Sequence, residues 1–287
     1  MSGGLAQRRR RYAEMLTAAL AGSDPRIRDA FATVKREDFL GPPPWRVRGA
    51  FAPLPAIDPA ELYHDVLVAL DEAKGINNGS PGLHALMLHR LGVQPGERVL
   101  HVGIGGGYYT AILAELAGPA GQVTAVEFDA ALAHDAARNL RPWPWVQVIH
   151  GDGAAFPTAP TERIYVNFAL ADPADAWLDQ LAVGGRLLLP LGAPHPEALG
   201  NDRRYSARGA LLIVTRADEG YAAAFDSRVA FVFAEGQTAG DTATQRAVYA
   251  ALGRSDLASV KSLCRGPGSA EKMWLSTPRW SLGQDPP

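Results

Sequence analysis

The segment Val99-Leu100-His101-Val102-Gly103-Ile104-Gly105-Gly106-Gly107-Tyr108-Tyr109 constrains the fold more than any other stretch of the chain. It reads as a short apolar strand, a glycine turn and the start of a helix. Glycines admit positive φ and let a ligand approach the backbone closely. The helix start beyond them offers unpaired N–H groups and a positive partial charge. A strand that feeds a helix this tightly belongs to sheets whose ligands bind beyond the carboxyl ends of the strands.

The flanking sequence keeps that rhythm. Arg98 to Val102, Gln122 to Glu127, Val146 to His150, Arg163 to Phe168 and Gly185 to Pro190 read as strands. Tyr108 to Leu116, Ala130 to Leu140 and Ala174 to Leu181 read as helices between them. The alternation predicts a parallel sheet covered on both faces. Upstream, Tyr12 to Leu20 and Pro25 to Val34 are expected as helices, the second capped by Ser23-Asp24, and Pro81 to Leu91 as a third. Pro42-Pro43-Pro44, the stretch Phe51 to Pro59 and the run Lys74 to Pro81 read as loops. After Gly192, Ala210 to Arg216 and Val229 to Phe233 are expected as strands around a turn at Asp218-Glu219-Gly220. A helix from Ala243 to Leu252 and another reaching Cys264 follow, and Trp274 and Trp280 are expected to dock on an apolar surface.

The glycine spacing is G-x-G-x-G, through Gly103, Gly105 and Gly107, with Tyr108 where a dinucleotide fingerprint has its last glycine. No Gly-Lys-Ser/Thr follows, so a P-loop is excluded. Two acids sharpen the ligand. Glu127 ends the second strand about twenty residues past the loop, where a carboxylate accepts from ribose hydroxyls. Asp152, within Gly151-Asp152-Gly153, follows the third strand, where it can accept from an adenine amine. A ligand with adenosine, ribose and an amino-acid end but no phosphate fits, and S-adenosylmethionine is such a ligand. The candidate donor-binding set is His101, Gly103, Gly105, Gly107, Tyr108, Glu127, Asp152 and Gly153.

Charge and composition remove other classes. The chain carries 28 basic and 30 acidic residues, a net −2, which argues against binding nucleic acid by broad phosphate neutralisation. No apolar run of about 18 residues is present, so no membrane span is expected. Arg8 to Arg11 followed by Tyr12 to Ala21 imitates a signal peptide, but Glu14 interrupts it and Met15, Leu16, Ala19 and Leu20 recur at helical spacing. An amphipathic helix in a cytoplasmic protein is expected. Cys264 is the single cysteine, so no intramolecular disulfide can form. The seven histidines form no H-E-x-x-H or Cys/His cluster, so no metal site is expected, and no G-x-S-x-G elbow marks a hydrolase.

In order along the chain, Val34-Lys35-Arg36-Glu37-Asp38-Phe39, Pro81 to Leu91, Val99 to Leu113, Gly151-Asp152-Gly153, Gln180 to Pro190, and the pair Ala210 to Arg216 and Val229 to Gly236 resemble the motifs of the protein-L-isoaspartate O-methyltransferase family. The resemblance covers roughly residues 8–236 and is sharpest over about 75–192. It implies an α/β fold, a doubly wound Rossmann-like methyltransferase sheet with an N-terminal helical cap and a C-terminal extension. The corresponding expected segments are 1–75 as cap and substrate side, 76–236 as the S-adenosylmethionine-dependent domain, and 237–287 as a helical, tryptophan-containing extension. It also implies O-methylation of a carboxylate with isoaspartyl residues as the substrate, so the expected partner is a protein, peptide or small-molecule carboxylate.

The sequence departs from that family at three places. His101 replaces an acid two residues before the first loop glycine. Asn77-Asn78-Gly79, anchored on Pro81, stands where the family has Thr-Ile-Ser, so a glycine holds the serine position unless Ser80 substitutes by a one-residue shift. Asn167 stands where a small hydroxyl or aliphatic residue is usual. Asn78, Ser80 and Asn167 are therefore the candidates for orienting the acceptor. The departures keep two alternatives open, a different acceptor on the same fold and a catalytically idle donor-binding module. A carboxylate acceptor is already ionised at pH 7 and needs no general base, which fits the lack of an acid–base pair. His84 and His89 are five residues apart, do not share a helix face, and read as surface or packing residues.

Overall fold

The arginine run at the N-terminus is carried on a helix, α1 (Ser2–Thr17), because one of its faces is apolar. Tyr12, Ala13 and Leu16 are buried, whereas Met15 is half exposed. The helix stops at Thr17, so Ala19 and Leu20, expected on the same face, lie in the turn beyond it. The computed structural model describes residues 2–48, 54–200, 204–268 and 273–287. The chain divides into two compact units, Met1–Gly151 and Asp152–Pro287.

In the first unit α2 (Pro25–Thr33) is capped as the sequence predicts. Asp24 accepts from Arg26 N at 2.9 Å, and Pro25 occupies the first turn, where a missing N–H costs nothing. Ile27, Ala30 and Phe31 form its buried face. A small antiparallel sheet follows, made of β1 (Trp45–Arg48), β2 (Leu54–Ala56), β3 (Leu67–Asp71) and β4 (Ile76–Asn77) in the order β2-β1-β3-β4. Part of this sheet corrects the sequence reading, which took Phe51 to Pro59 and Lys74 to Pro81 as loops; Phe51, Ala52 and Pro53 lie outside the described residues. Trp45, Ala56, Leu62 and Val68 close a core of their own beneath it. These strands are two to five residues long, too short for period-two patterning to register.

The rest of the first unit follows the expected alternation. Helix α3 (Pro81–Leu91) ends at Gly92 in the left-handed conformation. Strands β5 (Arg98–Val102), β6 (Gln122–Glu127) and β7 (Val146–His150) pair in parallel, β5 to β6 and β6 to β7, with α4 (Tyr108–Ala117) and α5 (Ala130–Asn139) as the crossovers. Nine of the ten α4 residues are buried, so this helix is packed on all sides.

The second unit opens with β8 (Thr161–Val166), the short α6 (Asp175–Asp179) and the long β9 (Leu181–Ala193), which runs parallel to β8. Strands β10 (Arg208–Arg216) and β11 (Tyr221–Arg228) then add antiparallel. The turn falls where expected, but the second strand is Tyr221–Arg228 rather than Val229 to Phe233. Its Ala222-Ala223-Ala224 run has poor strand propensity, and pairing with β10 decides its conformation. Residues Val232 and Phe233 make only isolated bridges, to Tyr205 and Ala169.

Helix α7 (Thr242–Leu252) stands as predicted, capped by Asp241. The second helix expected to reach Cys264 is absent from the described residues there; Leu257–Ser259 is a single 3-10 turn leading into β12 (Ser262–Arg265). Edge pairing with β11 sets this strand, through Tyr221 against Leu263. Strands β13 (Met273–Ser276) and β14 (Trp280–Gly283) complete the sheet. Trp274 and Trp280 are each 2% exposed, in line with the docking expected of them. Trp274 donates to Asp256 Oδ1 at 2.9 Å, and its ring lies against Phe225 and under the Arg254 guanidinium. Truncation should leave a large cavity: Trp274→Ala is expected to destabilise the protein by about 3–5 kcal/mol in urea unfolding.

Candidate active site

The glycine loop is held by backbone bonds before any side chain acts. Gly103 N donates to Val126 O at 2.9 Å, which extends the β5–β6 register into the turn, and Gly107 N closes it on Ile104 O at 3.0 Å. Gly107 sits at φ +91 as the residue before α4, and no side chain caps that helix. A Cβ there would come within 2.9 Å of Leu140 Cδ1, so position 107 is confined to glycine by both backbone and space.

Glu127, at the end of β6, ties the loop to its neighbour. Its Oε2 accepts from Gly105 N at 2.8 Å and its Oε1 from Asp129 N at 3.0 Å. The side chain is buried, and burial raises its carboxyl above the usual range, opposed by those backbone donors. Asp129 in turn caps α5 through Ala131 N and Leu132 N and pairs with Lys74 of the β3–β4 turn. That pair holds the Asp129 carboxyl below its usual range.

His101 lies on β5 and Tyr108 at the start of α4, and both are buried. His101 Nδ1 is 2.9 Å from Thr110 Oγ1, a bond from strand to helix beneath the loop. Burial pushes its imidazole down to about 3, so it is neutral at pH 7. Tyr108 packs edge-on against Phe31, Phe39 and Tyr109.

The asparagine loop is equally well defined. Asn77 Oδ1 accepts from Gly79 N at 2.9 Å, a local turn contact. Asn78 behaves as one more rung beside β3: its N–H donates to Val68 O at 3.0 Å, and its Oδ1 accepts from Val68 N at 2.9 Å. The same oxygen accepts from Arg36 Nη2 at 3.0 Å. Ser80 is the N-cap of α3, accepting from Leu83 N at 3.2 Å and donating to Asp65 Oδ1 at 2.7 Å. Gly79 has φ +71, and a Cβ on it would lie 2.3 Å from His84 Nε2. His84 is fully buried and stacked on Tyr109 at 3.5 Å between ring centroids. It is therefore a packing residue, not a surface one. Its imidazole is lowered first by burial, then by His101 and Arg36.

The first unit thus holds nearly all the candidate residues: Gly103, Gly105 and Gly107 on one loop with His101, Tyr108 and Glu127 on the elements around it, and Asn78 and Ser80 on another. In the second unit Asp152 is exposed and caps a 3-10 turn through Ala154 N at 2.9 Å. Gly153 is buried, and its carbonyl accepts from Trp177 Nε1 at 3.0 Å. Asn167 follows β8 and is half-buried. Sequence reasoning missed Arg36, Asp65 and the Lys74–Asp129 pair. Arg36 stood in a quoted motif, but nothing in its charged surroundings showed that it would be buried. Among the described residues no three His, Cys, Asp or Glu side chains converge as a metal site, and no helix is long and apolar enough to cross a membrane.

Residues 13–206 match the family model described as Protein-L-isoaspartate(D-aspartate) O-methyltransferase. A protein-L-isoaspartate O-methyltransferase of Aeropyrum pernix is 36% identical over 196 residues, 67% of this chain and 69% of the relative. One from Methanothermobacter thermautotrophicus is 31% identical over 191 residues, 65% of this chain and 80% of that one. Among solved structures, a protein-L-isoaspartate O-methyltransferase superposes with a TM-score of 0.65 at 24% identity, covering 80% of this chain and 67% of that chain. A Plasmodium falciparum structure, described as a putative enzyme of the same name in complex with S-adenosyl-L-homocysteine, gives 0.60 at 19% identity, covering 79% and 98%. At these identities the two structures speak for the fold, a Rossmann-like methyltransferase fold.

The buried histidines set a pH dependence. Unfolded His101 takes up its proton near 6.5 and folded His101 only near 3, so the unfolded state binds more protons between those values. Stability is expected to fall as pH drops through that window, with His84 acting in the same direction. Urea melts at a series of pH values should show a shallower acid limb for His101→Gln than for the native protein.

Proposed function

The chain belongs to the protein-L-isoaspartate O-methyltransferase family, and we propose that it methylates the free carboxylate of isoaspartyl residues in proteins and peptides with S-adenosylmethionine as donor. The observation that carries the donor assignment is the Gly105–Glu127–Asp129 arrangement. Each Glu127 oxygen takes one backbone N–H and retains acceptor capacity for a ribose hydroxyl. The uncapped start of α4 presents N–H groups suited to the carboxylate of the donor's methionine end. These features fit S-adenosylmethionine, and Gly103, Gly105, Gly107, Tyr108 and Glu127 would hold it from the first unit. Asp152 and Gly153 are the proposed adenine-side residues. His101 we assign to setting the spacing of β5 and α4 beneath the donor, since its ring is wholly enclosed.

When bound, the donor supplies a methyl group on a sulfonium, whose carbon–sulfur bond breaks as the carboxylate oxygen–carbon bond forms. The chain's own residues have no proton to move, because the acceptor arrives ionised. Their work is alignment and exclusion of water. Asn78, Ser80 and Asn167 are proposed to face the acceptor; Ser80 does so from its capping position and Asn78 from its fixed place beside β3. A single cysteine supports a reducing, cytoplasmic setting.

Labelled S-adenosylmethionine should mark an isoaspartyl peptide with a base-labile methyl ester and leave its aspartyl twin unmarked. Equal labelling of both peptides, or of neither, sinks this reading. Glu127→Gln should weaken donor binding by about 1–3 kcal/mol in calorimetry, since one acceptor oxygen is lost.

A further inference from the structure

Arg36 is 0% exposed, yet among the described residues no hydrogen bond of its guanidinium reaches a carboxylate. Nη1 donates to Leu62 O at 2.7 Å and His64 O at 3.3 Å, and Nη2 to Val66 O at 2.6 Å and Asn78 Oδ1 at 3.0 Å. Its Nε has no partner among the described residues. A buried cation is ordinarily matched by an anion. Here no carboxylate among the described residues pairs with it, and its charge acts on Tyr12, Tyr108 and His84.

The second unmatched group is next to it. Asn78 is 7% exposed, and its Nδ2 has no hydrogen-bond partner among the described residues. The amide cannot turn over to help itself. Two donors, Val68 N and Arg36 Nη2, converge on Oδ1, and a flipped amide would set N–H against N–H. Nδ2 is therefore held on the opposite side as a fixed donor, and the bond from Arg36 polarises the amide toward stronger donation. A buried donor without an acceptor, backed by a cation without an anion, calls for an anionic ligand. The reaction proposed above brings one anion to this loop, the acceptor's carboxylate.

We infer that Asn78 Nδ2 donates a hydrogen bond to the isoaspartyl carboxylate, and that Arg36 is the positioning residue that locks the amide and supplies the matching charge. This rests on the proposed function. It assigns to Asn78 and Arg36 a recognition role that the glycine at position 79 has no side chain to perform.

The test compares an isoaspartyl peptide with the same peptide carrying a carboxamide in place of that carboxylate. Both are titrated by calorimetry into the full chain saturated with S-adenosylhomocysteine. The native protein should prefer the carboxylate by about tenfold or more. Asn78→Asp keeps an oxygen for Arg36 and Val68 N but replaces the N–H donor with a second oxygen and cancels the charge. It should bind S-adenosylhomocysteine as before and lose the preference. Arg36→Lys keeps a charge but not the fork; it should raise KM for the isoaspartyl peptide several-fold with kcat nearly unchanged, and it decides the matter if Asn78→Asp does not fold. A native protein that methylates the isoaspartyl peptide but binds both peptides alike overturns the inference while the function stands. A preference that survives in Asn78→Asp overturns it too. A native protein that methylates neither peptide overturns the function itself.

Discussion

The carboxylate of Glu127 is the constraint on which the first unit's ligand side depends. One oxygen receives the glycine loop and the other the start of the following turn, so a single side chain fixes the ends of β5 and β6 against each other. Asp129 carries the link to α5 and, through Lys74, to the small sheet that bears the asparagine loop. The glycine loop and the asparagine loop of the first unit are thus joined by two neighbouring carboxylates. Burial raises the proton affinity of one, and a lysine depresses that of the other. A carboxylate in the first situation gains from further hydrogen-bond donors.

Beneath the loop, polarity is kept to a minimum. His101 is neutral and bonded to Thr110, and Tyr108, Tyr109, Phe31 and Phe39 pack edge-on around the first turn of α4. A family acid at position 101 would place a charge inside this enclosure. An imidazole fills the place without one, and the depressed proton affinity of His101 follows from that choice.

Much of the parallel architecture was legible because it is repetitive. Strands β5, β6 and β7 were each read with their observed bounds, α2 was marked by Asp24 before Pro25, and α3 by the proline at its start. What escaped is set by pairing rather than by propensity. Strand β11 is rich in alanine, β12 owes its conformation to the edge of β11, and the four-stranded sheet consists of segments too short to show a period. The glycine loop and Glu127 were read correctly as neighbours, since strand ends in one register must meet. The environment of Asn78 was not legible: its partners, Arg36 and Val68, are 42 and 10 residues away, and no local pattern joins them.

The stacking of His84 on Tyr109 beneath Gly79 bears on how this loop could have changed. The imidazole occupies the volume into which any side chain at position 79 would grow. A serine at that position would meet the ring at its Cβ and would also have to adopt a positive φ, so the imidazole would have to shift to admit it. The side chain permitted at position 79 is thus decided in part by packing five residues along the chain, on α3.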